Sequence, residues 1–74
     1  MNIETVFKKL YKPLCLYALH YLGNDLNSAE DVVEDCFVKL WEHEPRNQEA
    51  YLYAAVRNAC IDILRKSTVV ADIE

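Results

Sequence analysis

Glycine and proline are scarce in this chain of 74 residues, which contains one glycine and two prolines. No segment of useful length alternates apolar and polar residues, the pattern that indicates a half-buried strand. Apolar residues instead recur at helical spacing along most of the sequence. The sequence therefore predicts an all-α protein, a small three-helix bundle with two short connections.

Long apolar runs are missing as well. A membrane-spanning helix needs about 20 consecutive apolar residues, and no run in this chain approaches that length. No signal peptide is recognisable at the N-terminus. The odd set of cysteines, Cys15, Cys36 and Cys60, falls within apolar helical patterns, which indicates core residues in a reducing compartment. We therefore expect a cytoplasmic protein without membrane insertion.

Motifs for catalysis and for metal or cofactor binding are also absent from the sequence. The cysteines do not have zinc-ligand spacing, and no haem motif occurs. His20 and His43 are not paired with a nucleophile, and no histidine follows the acids of the second helix at the spacing of a di-iron site. We therefore expect no enzyme activity, no metal and no cofactor.

The charge is negative overall and unevenly distributed. A net charge of −4 argues against a simple nucleic-acid binder, which is usually basic. Residues 1–23 carry +2, residues 24–45 carry −6, residues 46–66 carry +2 and residues 67–74 carry −2. This polarisation indicates two surfaces for two different partners.

Capping and breaking residues predict the helix boundaries. Gly23 suits the end of the first helix, where a positive φ is needed, and Pro13 within that helix predicts a kink or a short break. The second helix is predicted to begin at Asn27 or Ser28, each of which precedes an acid at capping-box spacing. The third helix is predicted to run from about Gln48 to Lys66.

The second helix carries apolar residues on both of its sides. The side that must face the core consists of Val32, Val33, Cys36, Phe37 and Leu40. On the opposite side Val38 lies in the middle of the acidic residues and Trp41 lies at their edge. Exposed apolar residues ringed by acids indicate a docking site for a basic helix of another protein. An ordinary polar face with single exposed apolar residues is the alternative.

The third helix carries aromatic, amide and guanidinium groups outside its apolar stripe. The predicted buried stripe is Leu52, Val56, Ala59, Cys60 and Ile63. Tyr51 can stack on an unpaired base and Asn58 can hydrogen-bond to a base edge. The groups that can hold phosphate are Arg57 and Arg65. This combination suits single-stranded nucleic acid; the alternative is a plain surface helix in which Asp62 pairs with Arg65 or Lys66.

Three stretches occur in the order and at the spacing of a known family: "YKPLCLYALHYLG", "SAEDVVEDCFVKLWE" and "YLYAAVRNACIDILRK". Over about residues 5–66 the chain resembles region 2 of bacterial sigma factors of the sigma-70 family, specifically the extracytoplasmic-function (ECF) group. The resemblance implies a region 2 helical domain over residues 1–66 and a tail or the start of a linker over residues 67–74. Sigma factors of this group carry a second, helix-turn-helix domain, which 74 residues cannot hold. We therefore expect this chain to be a fragment, and an unusually reduced protein is the alternative.

The resemblance implies one protein partner for the second helix. In this family that helix binds the basic clamp helices of the β′ subunit of core RNA polymerase. Carried over by position, the polymerase-binding residues are Asp31, Glu34, Asp35, Val38 and Trp41. The family usually has Gln at the position of Glu34, where a carboxylate facing Arg-rich helices remains chemically favourable.

The resemblance also implies promoter DNA as a partner, mainly the single-stranded non-template strand of the melted −10 element. The loop before the third helix corresponds to the segment that captures a flipped base, and its candidate readers are Arg46, Asn47 and Gln48. The helix itself adds the candidate DNA-binding residues Tyr51, Arg57, Asn58 and Arg65. Ala54 departs from the family, where Arg is frequent, which lowers the DNA affinity expected of this helix.

A rival interpretation is a small helical adaptor that docks on a basic protein surface without binding DNA. Such an adaptor would use the acidic helix but would have no use for the face with Tyr51, Arg57 and Asn58. An anti-sigma factor is a further partner that the family resemblance admits, although no residues in the sequence identify one.

Overall fold

The predicted three-helix bundle is confirmed by the structure, a computed structural model that describes the backbone of residues 3–73 and the side chains of residues 3–66. The helices are α1 (Ile3–Leu22), α2 (Leu26–His43) and α3 (Gln48–Ile73), and no strand occurs within residues 3–73. Each helix packs against both of the others. The chain therefore folds as a single all-α bundle.

The first helix runs through Pro13 without interruption, so a break at this residue does not occur. Proline removes one backbone donor from a helix interior, but packing against the rest of the bundle supplies most helical stability in proteins. Leu10 and Leu14 on either side of Pro13 are both buried, and they anchor the two halves of α1. The helix ends at Leu22, and Gly23 follows it with a φ of +70°, as predicted.

The second helix begins earlier than predicted, at Leu26, because Asp25 is its N-cap. Oδ1 of Asp25 accepts a hydrogen bond of 3.1 Å from the backbone nitrogen of Ser28, and Oδ2 accepts one of 2.7 Å from its hydroxyl. The prediction of Asn27 or Ser28 as the first residue was therefore wrong. The two hydrogen bonds from Ser28 lower the pKa of the Asp25 carboxyl.

The second connection places one non-glycine residue in the left-handed region. Glu44 has φ 45° and ψ 58°, and its N–H closes α2 on the carbonyl of Leu40. The third helix then begins at Gln48, with Oδ1 of Asn47 accepting a hydrogen bond of 3.0 Å from the nitrogen of Ala50. It ends at Ile73 rather than near Lys66.

The core is built from the apolar sides of all three helices and contains no buried polar or charged residue among those described. All five residues predicted for the core side of α2 are buried. In α3 the prediction fails at Ile63, which is 37% exposed. With 26 residues, α3 is longer than α1 and α2, which have 20 and 18, so its later turns have less surface to pack against.

The three cysteines are buried and free, as the sequence predicts. Burial raises the pKa of each thiol, and that of Cys36 rises to about 11. A thiol with a raised pKa carries little of the reactive thiolate. These residues therefore act as small apolar groups in the core.

Candidate functional site

Most of the acidic side of α2 is exposed. Asp31, Glu34 and Asp35 all lie at the surface. Val38, in the middle of the acids, is 58% exposed, and Trp41, at their edge, is 68% exposed. We call these five residues the acidic surface. The structure therefore brings together the residues that the resemblance assigns to polymerase binding.

An apolar groove of about 460 Å³ lies beside the acidic surface, between α1 and α2. Its apolar lining consists of Ile3, Phe7, Phe37, Val38 and Trp41, and the acids at its edge are Glu34 and Glu42. The ring of Phe7 lies 4.9 Å from that of Phe37 and 4.7 Å from that of Tyr11. The groove thus extends the exposed apolar residues of α2 onto α1.

Sequence reasoning missed Phe7 as a member of this groove. Phe7 carries no prediction from the sequence, and in the structure its side chain is 38% exposed. Its neighbour on the core side, Phe37, is buried. Only the packing of α1 on α2 shows that Phe7 covers Phe37 and presents its outer edge to the groove.

Two carboxylates of the acidic surface have defined partners in the bundle. The hydroxyl of Tyr11 donates a hydrogen bond of 3.3 Å to Oε2 of Glu34. Partial burial, followed by the nearby Cys15 thiol, raises the pKa of Tyr11 to about 12. Oδ2 of Asp35 lies 3.3 Å from Nζ of Lys39, whose pKa is raised by this contact. Both ends of that ion pair are exposed, so it opposes docking only weakly.

The loop between α2 and α3 faces α1. Arg46, Asn47 and Gln48 line a cavity of about 340 Å³ together with Val6, Lys9 and Leu10 of α1, and Glu49 is also in its lining. We call this space the loop cavity. The structure therefore brings the three predicted base readers together, and it adds residues of α1 that the sequence did not indicate.

Tyr51 and Asn58 face a different neighbour. They line a groove of about 450 Å³ with Lys39 of α2, and Asp62 lines it as well. Tyr51 is half-buried, with its ring 6.2 Å from that of His43. The predicted DNA-binding residues thus form two groups, one at the loop cavity and one along the groove between α2 and α3.

The remaining predicted residues of α3, Arg57 and Arg65, do not line this groove. Arg57 is exposed, and its Nη1 donates a long hydrogen bond of 3.4 Å to Oδ1 of Asn58. Arg65 shares a small cavity with Asn58, Ile61 and Asp62. Asp62 pairs with Nζ of Lys66 at 3.3 Å, which confirms the local ion pair that the sequence left open between two cations.

The described part of the chain offers no site for a metal ion. No group of three or more His, Cys, Asp or Glu side chains converges there. Among the same residues, no helix has the length and hydrophobicity required to cross a bilayer.

Comparison with known proteins identifies one family. The family model described as Sigma-70 region 2 matches residues 6–69. No curated protein and no solved structure matches the chain. The family match includes most of α1, all of α2 and most of α3, and it contains the whole acidic surface and the whole lining of the loop cavity.

Proposed function

Because the chain belongs to the sigma-70 region 2 family, we propose that it anchors to the β′ clamp helices of core RNA polymerase and recognises and helps to melt the promoter −10 element. Domains of this family are non-enzymatic parts of transcription initiation factors, with a general role in RNA polymerase binding and promoter recognition. The chain is accordingly not an enzyme. We assign it to the ECF group, acting in the bacterial cytoplasm.

The observation that carries the polymerase assignment is the exposure of Val38 and Trp41 within the acidic surface. An aromatic anchor surrounded by charged residues is typical of the centre of a protein interface. The carboxylates complement a basic partner, which accelerates association and fixes its orientation. Arginine side chains of the clamp helices can pair with Asp31 and Asp35 while Trp41 and Phe7 contact their apolar stems.

The DNA assignment rests on the loop cavity and on the groove with Tyr51 and Asn58. Extruding a base costs a few kcal/mol, which a pocket and aromatic stacking must offset. In this proposal the loop captures the extruded base, and Tyr51 stacks at the edge of the melted strand. Asp62 has a structural role through its ion pair with Lys66.

The net charge of −4 supports a division of labour between the chain and the polymerase. Phosphate contacts supply most of the sequence-independent affinity for DNA, and an acidic domain provides few of them. The polymerase would therefore hold the duplex, while the chain contacts the melted strand. Residues 67–74 would lead into a linker to a helix-turn-helix domain. An anti-sigma factor, the further partner that the resemblance admits, stays a prediction.

The test is binding of a fluorescent, random-sequence DNA single strand to core polymerase saturated with the chain. We expect Tyr51→Ala to weaken binding by about tenfold, since stacking contributes about 1–3 kcal/mol per base. Asn24→Ala, an exposed substitution in the first connection, is the control and should have no effect. A chain that binds polymerase but whose Tyr51→Ala variant retains full DNA binding would favour the adaptor interpretation.

A further inference from the structure

The loop cavity combines the chemistry required for one extruded nucleotide, and part of that chemistry comes from α1. We propose that Lys9 is a further DNA-binding residue, which holds the phosphate of the nucleotide whose base enters the loop cavity. This inference rests on the proposed function, because it takes the melted strand as the ligand. It adds a contact from a helix to which neither the sequence nor the resemblance assigned a DNA-binding role.

The walls of the cavity suit a nucleobase. Val6 is half-buried and Leu10 is buried, so α1 contributes an apolar surface against which a base face can lie. The amides of Asn47 and Gln48 lie at the same cavity and can reach a base edge. Oδ1 of Asn47 already accepts the N–H of Ala50, which leaves the amide nitrogen of Asn47 as its available donor.

The charges that line the loop cavity are suited to an anion. Three of the lysines are already paired, Lys8 with Glu4, Lys39 with Asp35 and Lys66 with Asp62. Within the part of the chain that the structure describes, neither Lys9 nor Arg46 forms an ion pair, and both line the loop cavity. One carboxylate, that of Glu49, lines it too, so the cations remain in excess. A phosphate group satisfies this excess.

The size of the loop cavity suits a single nucleobase. A volume of about 340 Å³ lies near the lower end of the range for small-molecule sites, which runs from about 300 to 1,000 Å³. Because the opening combines apolar walls, amides and two cations, it fits a nucleotide better than a free anion or an apolar ligand. A base in the cavity and a phosphate between Lys9 and Arg46 would use the apolar walls, the two amides and both cations.

The experiment compares Lys9→Ala with Lys12→Ala in the complex of the chain with core polymerase. Lys12 is an exposed lysine of the same helix, so both substitutions remove one positive charge. Because Lys12 lines none of the cavities described above, it controls for the loss of charge alone. The probe is a fluorescent, random-sequence DNA single strand, titrated over a range of salt concentrations. Circular dichroism and polymerase affinity establish that both variants are folded and docked.

We expect Lys9→Ala to weaken binding of the single strand about fivefold. The slope of the logarithm of the binding constant against the logarithm of the salt concentration should become shallower by about 0.7, the value for one phosphate contact on a single strand. Lys12→Ala should bind within a factor of about two of wild type, and Lys9→Arg should retain most of the affinity because it retains the charge. An abasic strand should bind less tightly to the wild-type complex than the intact strand does.

Two results would overturn the inference, and they differ in what they say about the proposed function. If Lys9→Ala and Lys12→Ala have the same small effect while Arg46→Ala weakens binding, Lys9 is not a DNA contact and the proposed function stands. If the wild-type complex does not bind the single strand at all, both the proposed function and the role of Lys9 are wrong.

Discussion

The hydroxyl of Tyr11 on α1 donates a hydrogen bond of 3.3 Å to Oε2 of Glu34 in the acidic surface of α2. Because the pKa of Tyr11 is raised to about 12, the hydroxyl keeps its proton throughout the physiological range. The contact fixes the rotamer of a carboxylate proposed to meet the polymerase. It also attaches α1 to the surface that α2 presents.

Tyr11→Phe tests this contact while retaining the ring that stacks on Phe7. We expect the free energy of unfolding to fall by about 0.5 kcal/mol, the lower value for a hydrogen bond, because this one is solvent-exposed. Urea unfolding of Tyr11→Phe, Glu34→Ala and the double variant forms a double-mutant cycle. A coupling energy near zero would show that the two residues are merely neighbours.

Leu14→Ala and Leu16→Ala compare a buried and an exposed leucine of one helix. Leu14 is 0% exposed and Leu16 is 60% exposed. We expect Leu14→Ala to cost about 3 kcal/mol through lost burial and a cavity, a large fraction of the stability of so small a domain. Leu16→Ala should change stability by less than about 0.5 kcal/mol. Similar effects of the two substitutions in urea unfolding would contradict the packing of α1.

Asp25 should make the stability of α2 depend on pH. Hydrogen bonds from Ser28 lower its pKa in the folded state, so its contribution is fully present above the unfolded value, about 3.9, and is lost as pH falls through the lowered folded pKa. We expect Asp25→Ala to lower the Tm by about 4 °C at neutral pH. The difference should shrink on acidification.

Asp25→Asn is the control for that titration, because asparagine caps a helix well but does not ionise. The Tm difference between Asp25→Asn and Asp25→Ala should therefore be constant with pH. A wild-type advantage over Asp25→Ala that persists unchanged at the lowest pH would show that the charge of Asp25 is irrelevant to the cap.

Glu44→Gly should stabilise the domain, although substitution by glycine usually lowers the stability of a protein. Glu44 has a φ of 45°, a conformation that costs an ordinary residue about 1–2 kcal/mol and glycine almost nothing. After the entropy that glycine adds to the unfolded chain, we expect a net gain of about 0.5 kcal/mol. Glu42→Gly, within α2, should instead lose up to about 1 kcal/mol. Loss of stability in both variants would contradict the left-handed conformation of Glu44 at the end of α2.

The sequence predicts the buried side of α2 well because the apolar residues of this helix recur regularly. The acidic residues occupy the opposite side, so only one side of the helix can face the core. The beginning of the same helix is misplaced because Asp25, Asn27 and Ser28 are all capping residues within four positions. Local chemistry alone does not choose between them. In the structure Asp25 is the N-cap of α2, and Ser28 donates two hydrogen bonds to its carboxylate.

The contributions of α1 to the apolar groove and to the loop cavity could not be predicted from the sequence. Phe7 and Lys9 are two positions apart, yet one lines the apolar groove beside α2 and the other lines the loop cavity. Their placement depends on the rotation of α1 against its neighbours, which a helical period does not specify. The exposure of Ile63 has a similar origin, because the relative lengths of packed helices decide which turns are covered.

The central claim is that the acidic surface docks on the polymerase, and binding to a purified β′ clamp-helix fragment tests it most directly. We expect the wild-type chain to bind the fragment. Trp41→Ala and Asp31→Ala should each raise the Kd about 30-fold, which corresponds to a loss of about 2 kcal/mol of binding free energy. Leu16→Ala, which removes an exposed apolar residue on another helix, should bind like wild type. A folded wild-type chain that does not bind the fragment, or a Trp41→Ala variant that binds as tightly as Leu16→Ala, would contradict the account.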